Sequence, residues 1–190
     1  MSRLRALMFL LMQVCLWSLG AQNEPISWDS ESLLSWSDFE AVADTKAEAV
    51  AITSSGLTFG YRVKQSNNTI ISFTARVEAQ FYPDKSWVKT LAKKDTVLKH
   101  EQLHFDITEL HARKFRKELS ALRIDNNLKQ RIQELYNRIN LDLDRMQRLY
   151  DKETDHSLKE GSQLQWNKDV RQALNALKAY SHPEISREKL

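Results

Sequence analysis

TIISFTARVEAQFYPDKSWVKTLAKKDTVLKHEQLHFDITELHARKFRKEL, residues 69–119, changes its apolar period halfway along, and that change decides the fold class. Over residues 69–81, Ile71, Phe73, Ala75, Val77 and Ala79 alternate with polar neighbours, the pattern of a half-buried antiparallel strand. After Pro83 the apolar residues recur at helical spacing. Asp84 is placed to cap a short helix through Lys93. Asp95 or Thr96 is placed to cap a longer one that reaches about Leu119.

Working outward, residues 47–63 also read as β structure. A turn signal lies at Ser54-Ser55-Gly56, and Leu57, Phe59, Tyr61 and Val63 follow in alternation. Ser66-Asn67-Asn68 reads as the hairpin turn before the next strand, although Asn67-Asn68-Thr69 also matches a glycosylation acceptor. On the other side, Asp125 or Asn126 restarts a helix whose stripe is Leu128, Ile132, Leu135, Ile139, Leu143, Met146 and Leu149. A last helix is expected over about 162–180, with Leu164, Val170, Leu174 and Leu177. Strands first and helices afterwards predict an α+β domain: a small antiparallel sheet followed by a helical part.

The ends read differently from the middle. Arg3 and Arg5 precede an apolar run over residues 6–19 that is short for a bilayer span, and small residues follow at Ser18-Leu19-Gly20. Residues 1–21 therefore read as an export signal cleaved near Gly20 or Ala21. This places the mature chain in the periplasm or outside the cell, with no stable membrane insertion. Residues 22–32 read as a loose lead-in, 33–180 as one domain and 181–190 as a tail that frays beyond Pro183. Cys15, the single cysteine, falls in the signal, so disulfides and thiolate metal sites are both excluded from the mature chain. Of 28 basic residues, Arg3 and Arg5 leave with the signal; the remaining 26 against 25 acidic ones give a net charge near +1. That balance gives no support to nucleic-acid binding.

The chemistry concentrates in His100-Glu101-Gln102-Leu103-His104, an H-E-x-x-H on the expected central helix. Residues four apart stand about 40° apart around a helix and about 6 Å along it, so both imidazoles can converge on one ion at about 2.0–2.1 Å. Glu101 projects beside them, where its carboxylate can take a proton from water instead of ligating. Leu103, Ile107 and Leu110 on one flank, with Phe105 and Ala112 on the other, predict that the histidines are buried. Buried histidines need partners. Gln102, Asp106, Glu109 and Arg113 cluster on the opposite face, and Glu109 and Arg113 have the spacing of a helical ion pair.

A catalytic zinc takes three protein ligands and keeps one position open. His111 lies about 10.5 Å along the axis from His104 and cannot share its ion on a continuous helix. His182 sits in the tail. His156 stands just beyond the long amphipathic helix, with Asp151, Glu153 and Asp155 as rivals a few residues away. Tyr150 could offer its phenol to a developing oxyanion, or could simply close the apolar stripe. Trp36, Phe39, Trp87 and Trp166 read as core residues that brace the site.

LLSWSDF (33–39), two β-rich segments, Ser86-Trp87, HEQLHFDITELHAR (100–113), YDKETDH (150–156) and Gln163-x-x-Trp166 together are similar to a bacterial family of predicted secreted zinc-dependent proteases. That family is usually filed as a domain of unknown function, and the similarity covers most of residues 34–166. The resemblance implies a zincin-like domain with His100, His104 and His156 as ligands of one Zn2+ per chain and Glu101 as general base. The expected activity is hydrolysis of a peptide or protein substrate, added as an extended strand along residues 69–81. The alternatives are a non-catalytic, zinc-stabilised envelope interaction protein and a zinc amidase acting on cell-wall peptides.

Overall fold

Residues 23–189 are described by the computed structural model, so the expected export signal and its cleavage point lie outside the described residues. In chain order the elements are strands β1 (Ile26–Ser27), β2 (Ala51–Ile52), β3 (Ser55–Ser66), β4 (Thr69–Phe81) and β5 (Trp87–Val88), helices α1 (Asp95–Ala121), α2 (Leu128–Thr154) and α3 (Glu160–Ala176), and strand β6 (Glu184–Glu188). This is the α+β arrangement expected from the change of period.

The β3–β4 hairpin turns on Asn67 and Asn68, whose φ values of 46° and 59° suit a two-residue turn that matches the twist of its strands. Phe73, Ala75, Val77, Ala79 and Phe81 of β4 bury one face, as the alternation predicts. Ile71 departs from it. Lys64 pairs with Ser72 and Gln65 with Ile70, so Ile71 is the extra residue of a bulge, and Ile70 takes the buried place.

β4 is also the inner strand of its sheet. It pairs with β3 on one side and with both β1 and β6 on the other. Residues 69–81 therefore offer no free edge for substrate addition, contrary to expectation; among the described residues the open edges of this sheet belong to β3 on one side and to β1 and β6 on the other. The tail expected to fray is strand β6, held along β4 from Arg76 to Ser72. The lead-in is likewise docked, with Ile26 paired to Phe81.

The helix expected over residues 84–93 does not form. Ser86 accepts the Ser54 N–H and donates to the Tyr82 carbonyl, which locks a turn where that helix would run. Trp87 and Val88 then pair with Ile52 and Ala51 in a two-stranded ribbon, and Leu91 is left 94 % exposed. An apolar residue with no face to bury it cannot stabilise a short helix.

α1 is the centre of the molecule. It packs against β3 and β4 on one side and against α2 and α3 on the other, so apolar residues surround it: Leu103, Phe105, Ile107, Leu110, Phe115 and Leu119 are all buried. α2 needs only one face, and Leu128, Ile132, Leu135, Ile139 and Leu143 supply it at three- and four-residue spacing. The LLSWSDF segment docks against α1 and β4, and neither Trp36 nor Phe39 borders the histidines that they were expected to brace. Leu34 and Phe39 are buried, the Leu34 N–H donates to Gln102 Oε1 at 2.8 Å, and Phe39 packs edge-on to Phe81. No helix among the described residues is long and apolar enough to cross a membrane.

Candidate metal centre

α1 presents His100 and His104 one turn apart, with their rings nearly perpendicular at 87°. α2 lays Asp151 against them. Its Oδ1 lies 3.1 Å from His100 Nε2 and 2.9 Å from His104 Nε2, and the two Nε2 atoms are 3.2 Å apart. Three ligand-type atoms thus form a nearly equilateral triangle. Around a tetrahedral zinc with bonds of about 2.05 Å, neighbouring ligand atoms stand about 3.3 Å apart, so these residues fit the ion with adjustments of a few tenths of an ångström.

The outer nitrogens sharpen the fit. His100 Nδ1 lies 3.0 Å from Gln163 Oε1, and His104 Nδ1 lies 2.5 Å from Gln147 Oε1. Each ring therefore faces an oxygen acceptor at both nitrogens, whereas a neutral imidazole has one N–H to give. Two imidazolium rings would meet this demand only by setting two positive charges side by side. A single divalent cation would replace both Nε2 protons and leave each Nδ1–H on its amide oxygen, the usual outer support of a metal-bound histidine. The two glutamines are held in place for this. Gln147 donates to the His104 carbonyl at 2.9 Å. Gln163 Oε1 also accepts the Tyr150 hydroxyl at 2.7 Å, while its Nε2 has no partner among the described residues.

Electrostatics follows the same pattern. Burial pushes the Asp151 carboxyl up, but hydrogen bonds and charge from His100 and His104 outweigh it and hold Asp151 far below the usual carboxylate range. Burial pushes His104 down, yet the contact with Asp151 and the charge of Glu101 leave it raised.

Glu101 is 4 % exposed, and its carboxylate enters no hydrogen bond or ion pair among the described residues. It borders a hollow of about 240 Å³ together with both histidines, Gln147, Asp151 and His156; the opposite wall is Ala49 to Thr53. Glu109, equally buried on the same helix, is neutralised by Arg113 at 2.8 Å, the ion pair expected from spacing, and by Arg116 at 3.0 Å.

The structure separates the other candidates. His156 is not one of the three convergent atoms. It stands on the rim with its side chain 68 % exposed and its Nδ1 3.7 Å from the Asp151 oxygen. α2 runs on to Thr154, which keeps Asp151 on the inner face, and Asp155, His156 and Ser157 then turn outward with positive φ. Tyr150 is wholly buried beneath the rings. It stacks on His100 at 4.5 Å, meets His104 edge-on, and spends its hydroxyl on Gln163 instead of the hollow. Trp166 packs behind it at 5.3 Å. His111 lies away from the cluster, as helical geometry requires. It is bonded to the Ile107 carbonyl, and burial pushes its pKa down to about 4. His182 is exposed.

Gln147 escapes a reading of the chain altogether. Its one signal is its place four residues before Asp151, on the same face of α2. Gln163 is visible only as half of Gln-x-x-Trp, without a role.

Neither the curated proteins nor the solved structures contain a match to this chain. The model of one protein family does match, over residues 37–157, and that family is described as "Bacterial protein of unknown function (DUF922)". The match spans well over half of the chain and takes in His100, Glu101, His104, Asp151 and His156, so the chain belongs to the DUF922 family of bacterial proteins of unknown function.

Proposed function

We propose that this protein is an exported zinc-dependent peptidase, with His100, His104 and Asp151 as ligands and Glu101 as general base. The observation that carries the reading is the pairing of a three-atom ligand triangle with a buried, unpaired carboxylate on one open hollow. Two imidazoles and a carboxylate with no thiolate form a donor set suited to catalytic zinc. A zinc ion held there would polarise a carbonyl and acidify a water.

The remaining chemistry belongs to the chain. Glu101, with no arginine paired to it among the described residues, accepts the proton of the attacking water and returns it to the leaving amine. Gln147 and Gln163 keep both imidazoles in the tautomer that leaves Nε2 unprotonated. Tyr150 fixes the ring planes.

A peptide substrate is supported by the opposite wall. The Lys89 N–H donates to the Val50 carbonyl, and Ala51 pairs with Val88. Antiparallel pairs alternate, so the N–H and C=O of Ala51 point away from β5 and have no partner among the described residues. Val50 and Ile52 are 40 % and 41 % exposed, which offers an extended chain an apolar wall with free main-chain groups beside the metal centre.

The test pairs elemental analysis with digestion of a peptide library by the chain lacking residues 1–21. We expect about one zinc per chain. Glu101→Gln is expected to keep the metal and lose cleavage. Absence of a bound transition metal overturns the site, and full activity of the variant overturns the mechanism.

A further inference from the structure

The stripe of α1 that faces away from the histidines carries a second cluster of charge. Arg116 turns its donors inward, to the carbonyls of Val77, Tyr180 and Ser181 and to Glu109. Arg113, its side chain 8 % exposed, donates from Nε to Glu109 at 2.8 Å and from Nη1 to the Leu174 carbonyl at 2.8 Å. Its guanidinium lies over the Trp28 ring at 5.2 Å. Arg113 Nη2 enters no hydrogen bond among the described residues. One carboxylate shared by two guanidiniums leaves a buried positive charge without a counter-ion, a costly arrangement unless an anion completes it.

Arg113 stands between two hollows. One is bordered by Asp29 and Glu78, which disfavour an anion. The other, about 450 Å³ between α1 and the second half of α3, adds Arg171 and Lys178 and the side-chain amides of Asn167 and Asn175. The carboxylate on its wall is Asp106, whose Oδ1 already accepts the Trp28 indole N–H and the Gln102 amide. Among the residues that border this groove, Arg113, Arg171 and Lys178 stand against one carboxylate, Asp106, a surplus of two positive charges.

We propose that this groove is a binding site for a phosphate group, separate from the metal centre. A phosphate presents several acceptor oxygens, which suit the open edge of a guanidinium that is already oriented by Glu109 and Trp28. Arg171 and Lys178 supply the remaining charge from α3 and the turn after it, and the asparagine amides supply neutral donors. The hollow is larger than a bare phosphate ion, so the group can arrive free or attached to a larger molecule such as a lipid.

The experiment is calorimetric titration with sodium phosphate against sodium chloride at equal ionic strength, alongside sedimentation with phosphatidylglycerol or phosphatidylcholine vesicles. The protein is the chain lacking residues 1–21, used with and without chelator so that phosphate on the metal is not mistaken for this site. The variant is Arg171→Gln with Lys178→Gln, two exposed positions, and circular dichroism and zinc content check that fold and metal are unchanged. Chelator-insensitive phosphate binding that weakens at least about tenfold in the double variant supports the site. Sedimentation with phosphatidylglycerol alone, lost in the variant, supports it with a lipid as the source. No binding above the chloride control together with no preference for phosphatidylglycerol overturns it. Binding that the double variant leaves unchanged also overturns it.

Discussion

His100 and His104 reach the same oxygen of Asp151, whereas His156 lies beyond the end of α2 with its ring largely in solvent. The two residues differ by five positions and by the direction of the backbone: Asp151 is on a helix face that packs against α1, and His156 is in a left-handed turn. Asp151→Ala is therefore expected to strip zinc from the protein, while His156→Ala keeps most of it. Metal content after dialysis against a weak chelator checks both; the reverse ranking would make His156 the third ligand and Asp151 its partner. The alternative was readable along the chain, since Asp151 stands inside YDKETDH. What the chain does not show is which of four neighbouring residues the helix end turns inward.

Among the elements, α1 is fastened to the sheet by a polar contact as well as by packing. Arg116 joins Glu109 to the Val77 carbonyl of β4 and to the carbonyls of Tyr180 and Ser181 just before β6. Truncating it leaves several buried acceptors without donors, so Arg116→Ala is expected to cost about 3 kcal/mol or more in urea unfolding. The exposed pair Arg148–Asp144, 68 % and 66 % exposed, is the control: Arg148→Ala should change stability by less than about 0.5 kcal/mol. Equal effects of the two would refute this role for Arg116. The helix periods of α1 and α2 are plain in the sequence, as is the Glu109–Arg113 spacing. The third partner, Arg116, stands seven residues from Glu109, but its contacts with the carbonyls of Val77, Tyr180 and Ser181 span 39 to 65 positions and carry no such mark.

For the whole molecule, the buried apolar cluster runs from Leu34 to Leu174 through the sheet and all three helices, and the ligand triangle sits at its border with Asp151 part exposed. A core of that extent does not need an ion to close. Removing metal with a chelator is expected to lower the melting temperature while far-ultraviolet circular dichroism keeps its folded shape, as loss of a bound ligand requires. Unfolding at ambient temperature on chelation would instead mark the zinc as structural, its binding energy being folding energy.

The sequence by itself determined what repeats locally: the alternation of β4, the stripes of α1 and α2, the asparagine turn between β3 and β4, and two histidines and a glutamate at a spacing that only a helix makes useful. These are decided within a few residues by dihedral preference and side-chain period. The tertiary structure alone decided the partners. Asp151 meets His100 across 51 positions and Gln163 meets it across 63, while Glu184 to Glu188 finds β4 from more than a hundred residues away. Such pairings depend on which faces the packed helices and sheet bring together, and nothing in the local period of the chain encodes that.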